Sequence, residues 1–386
     1  MNQDNLRLLQ ADAAAVTTLV HEWHGRHPGM SLLALLPEAE RAAVPMLQQV
    51  CRAAGVPLVG AIFPQLVTRD GFTGTGLWLL RFDREVPAFL IPALAVDPVT
   101  AAGRIAAPVQ AELDRATSSA GTRPTLYLII DALLQNVASL LDDLYLRLAD
   151  RVNYAGVAAG SETFQPMPCL FDGERLIDEG ALAMLIPGDV KTILEHGCPA
   201  PEKVMTATST EGNRIINIDW RPAFEVYQQI VRTEGGVELT RENFYQWAVH
   251  FPFGILRANQ EVVVRIPVAL TDDGCVYCIG EVPENAMLVV LRVPGLEDGD
   301  CVRRLSQGLV QANGSLADDN LLAFYCAGRR LHLGDDAARE VQALAQATGA
   351  RQVAGALSLG ELGSTTVGGY PLFHNATLVC TPWRRE

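Results

Sequence analysis

The sequence has few charged residues, and fewer of these are basic than acidic. Charged side chains make up 19% of the 386 residues, with 30 Lys and Arg against 44 Asp and Glu and a formal net charge of −14. Because such a surface repels phosphate backbones and anionic lipids, we expect neither nucleic acid nor a membrane surface as a partner. Apolar residues make up 49% and no long segment lacks them, so we expect the whole chain to fold.

Long uninterrupted hydrophobic runs are also missing. The longest apolar window, Thr125–Leu148, contains Asp131, Asp142, Asp143 and Arg147, which is not the pattern of a membrane span. The first ten residues include an aspartate and no apolar stretch, so they do not resemble a signal peptide. We therefore expect a cytoplasmic protein whose eight scattered cysteines are reduced and mostly buried.

One pattern of elements occurs three times along the chain. Each copy has an apolar strand, a helix, a second strand with a glycine-containing turn and a third strand. The predicted strands of the first copy are Ser31–Leu36, Val56–Ala61 and Gly76–Phe82. Those of the second copy are Thr125–Ile130, Val152–Gly160 and Gly180–Ile186, and those of the third copy are Leu321–Tyr325, Gln352–Ser358 and Ala376–Cys380. The predicted helices are Pro37–Ala54, with a kink or break at Pro45, Ala132–Asp150, and one capped by Asp335 or Asp336 and ended by Gly349. This alternation predicts an α/β fold of β-sheets flanked by helices.

A different region separates the second and third copies. Its predicted strands are Arg214–Ile218, Glu261–Leu270, Cys275–Gly280 and Met287–Arg292, and Asp272-Asp273-Gly274 is typical of a hairpin turn. A predicted helix, Ala223–Arg232, follows the first of these strands. We predict two domains, residues 1–222 with the first two copies and residues 223–386 with the third.

The C-terminal third carries the most specific motifs. They are Ala323–Arg330, an apolar strand ending in Cys-Ala-Gly-Arg; Gly355–Gly363, which contains Gly-Glu-Leu-Gly; and Pro371–Leu378, which contains Asn-Ala-Thr. Together with His196–Pro199, Glu211–Ile216 and Arg221–Tyr227, they make the chain similar to the FIST N and FIST C domains in tandem, from about Ser31 to Pro382. One segment departs from that family: Ala61-Ile62-Phe63-Pro64-Gln65 stands where members often carry a Ser-Thr-x-Gly-Glu type loop.

The resemblance implies a sensor, not an enzyme. FIST domains are regarded as small-ligand receptors in bacterial signalling, and one branch binds haem and senses nitric oxide. We therefore expect haem as cofactor or, as the alternative, another small ligand such as an amino acid. No kinase, cyclase or DNA-binding module is recognisable in the sequence, so we expect a separate partner, a histidine kinase or a cyclic-di-GMP enzyme; a homodimer stays open.

Five residues are candidates for ligand contact. The family motif makes His196 the expected axial ligand of the haem iron, with Cys198 as runner-up; the alternatives are a structural histidine and a buried thiol. Arg329 and Arg330 could bind a haem propionate or an amino-acid carboxylate near Glu361, and the alternative is an internal arginine–Glu361 pair that braces two loops. Four aromatic residues could line an apolar pocket or simply pack in the core: Phe63, Trp78, Phe164 and Phe171.

Signals of other chemistry are weak or missing. Cys275 and Cys278 lie three apart on a predicted strand, where side chains three apart face opposite sides, so we expect no metal there. His21, His24 and His27 lie where a helix should end, and we interpret them as a solvated helix end. The phosphate-binding loop, the Gly-x-Ser-x-Gly elbow and His-Glu-x-x-His are absent from the sequence. An enzyme that uses Cys198 or His196 as nucleophile or base stays as a third, less favoured hypothesis.

Overall fold

The computed structural model of the chain describes residues 5–115, 123–188, 190–199, 201–259, 261–317, 319–365 and 369–384. The β-strands are β1 Leu6–Leu9, β2 Ser31–Pro37, β3 Leu58–Phe63, β4 Leu66–Thr68, β5 Gly71–Thr73, β6 Leu77–Phe82, β7 Ala88–Ile91, β8 Thr125–Asp131, β9 Asn153–Ala159, β10 Leu170–Asp172, β11 Leu176–Ile177, β12 Ala181–Ile186, β13 Ile193–Glu195, β14 Met205–Thr206, β15 Ser209–Glu211, β16 Arg214–Ile218, β17 Arg221–Pro222, β18 Phe253–Leu256, β19 Val262–Arg265, β20 Pro267–Leu270, β21 Val276–Cys278, β22 Met287–Val290, β23 Asn320–Cys326, β24 Gln352–Ser358, β25 Glu361–Gly363, β26 Leu372–His374 and β27 Leu378–Trp383. The α-helices are α1 Ala13–Arg26, α2 Val44–Ala54, α3 Pro98–Arg115, α4 Val137–Leu148, α5 Ala223–Gly235, α6 Phe244–Ala248, α7 Cys301–Asn313, α8 Ala327–Leu333 and α9 Asp336–Thr348.

The three copies of the repeat each form the centre of a six-stranded sheet. In every copy the first strand lies between the second, which runs parallel to it, and the third, which runs antiparallel, in the orders β6-β2-β3, β12-β8-β9 and β27-β23-β24. The predicted α/β class and threefold repeat are therefore confirmed. The structure also adds what the sequence did not indicate: a further edge strand before each copy (β1, β7 and β13) and a helix after it (α1, α3 and α7).

The three copies exchange hairpins in a closed cycle. The hairpin β4–β5 of the first copy pairs with β24 of the third, β10–β11 of the second pairs with β3 of the first, and β25–β26 of the third pairs with β9 of the second. The copies therefore form one interlocked ring, in which strands from both sides of residue 222 share two sheets. The domain boundary near that residue stays a prediction.

One position in all three second strands requires glycine. Gly60, Gly156 and Gly355 each face the first strand of their own copy. A Cβ atom built at these positions would lie 2.5, 2.1 and 1.8 Å from a backbone carbonyl oxygen of that strand. Real Cβ atoms do not come so close to backbone, so no side chain is accommodated here and the parallel pairing depends on glycine.

The region between the second and third copies is an insertion that follows β13. It forms two smaller sheets, β14-β22-β18-β19 and β15-β16-β21-β20. The predicted single strand Glu261–Leu270 is wrong, because β19 and β20 join different sheets and Ile266 between them donates its N–H to Asn375 Oδ1 at 3.0 Å. The predicted Asp272–Gly274 hairpin is confirmed as the connection from β20 to β21.

Several helix boundaries differ from the prediction. The break near Pro45 is confirmed, since a 3-10 turn ends at Ala43 and α2 begins at Val44. The helix predicted from Ala132 begins only at Val137, because Asn136 has a left-handed φ of 60°. The short helix α8 was missed, since Cys-Ala-Gly-Arg was interpreted as a turn at a strand end. The side chain of Asp335 makes no capping hydrogen bond at the start of α9.

Burial of the cysteines agrees with the sequence. All eight lie in buried positions and none is disulfide-bonded. Among the helices that the structure describes, none combines the length and the hydrophobicity needed to cross a membrane.

Candidate functional site

A cavity of about 460 Å³ opens where the three C-terminal motifs meet. Cys326 and Arg330 come from the first motif and from α8, Leu359 comes from the turn after β24, and Asn375 comes from the turn before β27. All of them lie at or beyond the carboxyl end of β23 or β24, or in the turn that faces it. Because loops at this end of parallel strands converge, α/β folds commonly bind ligands there.

The opposite wall of this cavity comes from outside the third copy. Glu162 and Phe164 follow β9 of the second copy, Tyr245 lies in α6, and Ile266 and Ile279 belong to the insertion. The cavity therefore lies at the junction of the ring and the insertion. Its wall exposes polar and apolar surface in similar amounts. Small-molecule sites likewise combine apolar surface with a few converging polar groups.

Two opposite charges stand at the mouth of the cavity. Arg330 Nη1 lies 3.8 Å from Glu162 Oε1, and the Arg330 guanidinium lies over the ring of Phe72 at 5.2 Å from its centroid. Both side chains of the ion pair are partly exposed, 35% for Arg330 and 45% for Glu162. A pair this exposed and this long is weak. A ligand can therefore replace either partner at little cost.

The Tyr245 and Cys326 side chains in the cavity wall are neutral near pH 7. Burial raises the pKa of Tyr245 and of the Cys326 thiol to about 12 each. Cys326 Sγ also accepts a hydrogen bond from the N–H of Ala376 at 3.1 Å. Partial burial raises the pKa of Glu162, while Arg330 opposes this shift. Since a nucleophilic cysteine has to be a thiolate, Cys326 is a contact group and a poor nucleophile.

Arg329, next to Arg330, has a different environment. Its guanidinium forms a bidentate pair with Glu340 of α9, with Nε–Oε2 and Nη2–Oε1 distances of 2.8 and 2.6 Å. Nη1 donates to the carbonyl of His196 at 2.9 Å, and both charged side chains are only 2% exposed. Arg329 therefore braces α8, α9 and the His196 loop. The brace considered from the sequence was placed on Glu361, and its partner is instead Glu340.

Glu361 lies behind the cavity wall. Its carboxylate is fully buried and accepts hydrogen bonds from Ser358 Oγ and Thr377 Oγ1, both at 2.5 Å. Burial raises the pKa of Glu361 to about 7, although these hydrogen bonds oppose the shift. The residue therefore joins the second and third motifs to each other and can change charge near neutral pH.

His196 and Cys198 lie in the loop where the insertion leaves β13. His196 is 7% exposed, and its Nδ1 accepts the N–H of Cys198 at 3.0 Å across a turn in which Gly197 has φ 74°. Burial lowers the pKa of His196 to about 4 and raises that of Cys198 to about 12. Both side chains are therefore neutral, and neither is among the described residues that line the 460 Å³ cavity.

His196 would have one ring nitrogen available for a haem iron. With Nδ1 occupied, only Nε2 is left for iron, and an axial imidazole has to face a cavity of porphyrin size. Two further histidines, His332 and His374, are committed or enclosed. His332 Nδ1 lies 2.6 Å from Nδ1 of His250, and His374 is fully buried with neither ring nitrogen hydrogen-bonded to a described residue. Haem at His196 stays a prediction.

Several lining residues were not identified from the sequence. Phe164 does line the cavity, whereas Phe63, Trp78 and Phe171 are buried in the core. Glu162, Tyr245 and Asn375 were missed. Glu162 had a usable signal, because it follows Gly160 and Ser161 after the second strand of its copy much as Glu361 follows Gly360 in the third. Tyr245 had none, since only the tertiary structure brings the insertion to the ring.

Two family models match the chain. The model of the FIST N domain matches residues 32–221, and that of the FIST C domain matches residues 223–364. No curated protein matches. The 460 Å³ cavity takes Glu162 and Phe164 from the first matched segment and most of its wall from the second, while Asn375 lies beyond both.

Proposed function

The chain belongs to the FIST family, and on that premise we propose that this signal-transduction protein senses a small zwitterion, such as an amino acid, bound in the 460 Å³ cavity. The observation that carries the proposal is the pair of opposite charges, Arg330 and Glu162, at the mouth of a cavity that also offers apolar surface. FIST domains are sensor domains of signal transduction, so a ligand-binding cavity is the feature that this function needs.

Each part of such a ligand has a counterpart in the wall. The Arg330 guanidinium presents a planar fork that binds a carboxylate through two hydrogen bonds. Glu162 and Asp335 accept hydrogen bonds from an ammonium group. Phe164, Ile266 and other apolar side chains surround a small hydrophobic substituent.

Ligand binding would be reported through α8. A carboxylate that draws Arg330 from Glu162 acts on the helix that carries it, and the adjacent Arg329 joins this helix to Glu340 of α9 and to the His196 loop. A shift of α8 therefore changes the positions of α9 and of the His196 loop. We propose that a separate signalling protein, a histidine kinase or a cyclic-di-GMP enzyme, binds the surface that changes, because ligands act by favouring one of two conformations.

Calorimetric titration of the purified protein with the common amino acids tests this function. For an amino acid that binds, Arg330→Gln and Glu162→Gln should each weaken the affinity about tenfold or more, since each removes one charge-assisted contact. Arg232→Gln is the matched control, because Arg232 forms an exposed ion pair with Glu238 away from the cavity. Affinity that stays unchanged in both cavity variants would contradict the proposal.

The haem hypothesis has a separate test. Protein produced with ample haem would show a Soret band if haem binds, and His196→Ala would lose or shift that band if His196 is the axial ligand. A colourless protein that still binds an amino acid would support the zwitterion receptor alone.

A further inference from the structure

A second cavity, of about 400 Å³, lies at the opposite end of the same strands. β23 ends at the first cavity with Cys326, whereas Leu322, near its beginning, lines the second. Thr125 and Tyr127 line it from the beginning of β8, and Thr381 and Trp383 line it from the end of the antiparallel β27. The two cavities therefore share no lining residue among those described.

The same structural position of each repeat copy contributes to this second cavity. Phe82, Ile186 and Trp383 are the last residues of the third strands β6, β12 and β27, and all three line the cavity. Each is paired with the residue that begins the first strand of its copy: Ser31 with Phe82, Thr125 with Ile186 and Asn320 with Trp383. The cavity is therefore formed at the centre of the three-copy ring, and we name it the axial cavity.

The wall of the axial cavity is aromatic and contains one unused donor. The rings of Phe82 and Trp383 are in contact, with centroids 4.8 Å apart, and Tyr127 and Leu322 add further apolar surface. Trp383 is only 6% exposed, and its indole N–H has no hydrogen-bond partner among the described residues. Buried N–H groups are almost always paired, and the described residues supply no acceptor for this one.

The charge of this wall contrasts with that of the chain. Arg81, Arg84 and Arg384 line the axial cavity with one described acidic residue, Asp83, and Arg384 is also paired with Asp319 at 2.7 Å. These groups still include one more arginine than carboxylates, although the whole chain carries a formal net charge of −14. Arg81 is nearly fully buried and is held by Asp83, with an Nη2–Oδ1 distance of 2.8 Å. A low-dielectric wall with this excess of positive charge favours an anion.

We propose that the axial cavity is a second ligand site, which binds a small organic acid with a flat apolar body. The body lies against the aromatic rings, and the carboxylate accepts the Trp383 N–H and faces the arginines. This inference does not depend on the zwitterion receptor proposed for the first cavity. It gives the protein two ligands of different chemistry at the two ends of one sheet.

The test uses 2-naphthoate as probe and the neutral 2-naphthalenemethanol as its matched control, titrated calorimetrically into the full chain. We expect 2-naphthoate to bind and the alcohol to bind about tenfold more weakly, since only the acid brings a charged acceptor. Ile186→Trp, which fills the cavity, should abolish binding. Trp383→Phe, which keeps a ring and removes the donor, should weaken it about tenfold. Arg330→Gln, at the other cavity, should leave it unchanged.

Three outcomes would overturn the proposal: no binding of 2-naphthoate at millimolar concentration, equal affinity for the alcohol, or full affinity in Ile186→Trp. Circular dichroism of each variant checks that it folds. If Ile186→Trp does not fold, Arg84→Glu serves instead, because Arg84 is exposed and its reversal should weaken binding of the anion. Unchanged binding in Arg84→Glu and Trp383→Phe together would then reject the site.

Discussion

The two cavities differ in how the fold produces them. The 460 Å³ cavity is formed mainly by what distinguishes the third copy from the others, namely its motifs, α8 and the insertion that closes over it, with Glu162 and Phe164 added from the second copy. The axial cavity is formed by what the three copies share, the end of the third strand, occupied by Phe82, Ile186 and Trp383. Sequence motifs therefore mark the first cavity and give no sign of the second. The predictions below test this contrast, from the largest effect to the smallest.

Both cavities should be lost when the shared repeat is disrupted. Gly355→Val places a side chain where even a Cβ atom would lie 1.8 Å from the carbonyl oxygen of Ala323. We expect a destabilisation of about 4 kcal/mol or more, enough to prevent folding of most domains. Soluble expression and circular dichroism measure this. Gly25→Ala is the control, since nothing lies within 4 Å of that position in α1, and a well-folded Gly355→Val protein would contradict the argument.

Removal of the buried Arg329–Glu340 pair beside the 460 Å³ cavity should cause the next largest loss of stability. Arg329→Met leaves Glu340 buried without its partner, so we expect a loss of about 3–5 kcal/mol in the free energy of unfolding, measured by urea denaturation. The double variant Arg329→Met, Glu340→Leu should recover part of the free energy of unfolding that Arg329→Met loses. Arg330→Met is the neighbouring control and should change stability by less than about 1 kcal/mol, because its ion pair is partly exposed. Equal losses at the two arginines would show that the brace is not specific.

The pH dependence of stability should reveal the buried acid Glu361 behind the wall of the 460 Å³ cavity. The pKa of Glu361 is raised from 4.5 to about 7, so the folded state holds a proton that the unfolded state has released between these pH values. Stability is therefore full below pH 4.5 and falls as the pH rises through about 7. We expect Glu361→Gln to gain roughly 3 kcal/mol relative to the original protein between pH 5 and pH 8. Parallel pH profiles of the two proteins would reject this role.

The smallest expected effect is a gain in stability. His374 is fully buried with both ring nitrogens unpaired among the described residues, and burial lowers its pKa well below 6.5. Replacing a buried unpaired polar group with an apolar group of similar shape is neutral or stabilising. His374→Phe should therefore raise the free energy of unfolding by about 1 kcal/mol. A loss of similar size, measured by urea denaturation, would indicate that the imidazole has a partner in solution.

Sequence reasoning succeeded where local rules decide structure. The break at Pro45 follows from the missing N–H of proline, and the helix ends at Gly55 and Gly349 follow from their left-handed φ of 68°. The secondary-structure prediction failed where a residue distant in sequence forms a hydrogen bond with the segment. The strand expected over Glu261–Leu270 is divided because Ile266 N–H turns to the side chain of Asn375, more than a hundred residues away.

The sequence by itself determined the α/β class, the threefold repeat and the motifs that meet at one cavity, because apolar periodicity and glycine and proline act on their own neighbourhood. Only the tertiary structure decided which arginine lines the 460 Å³ cavity and which pairs with Glu340, since adjacent residues on a helix point in different directions. It alone decided the cyclic exchange of hairpins and the axial cavity. Both depend on strand pairing between distant segments, which the alternation of side chains within one segment does not specify.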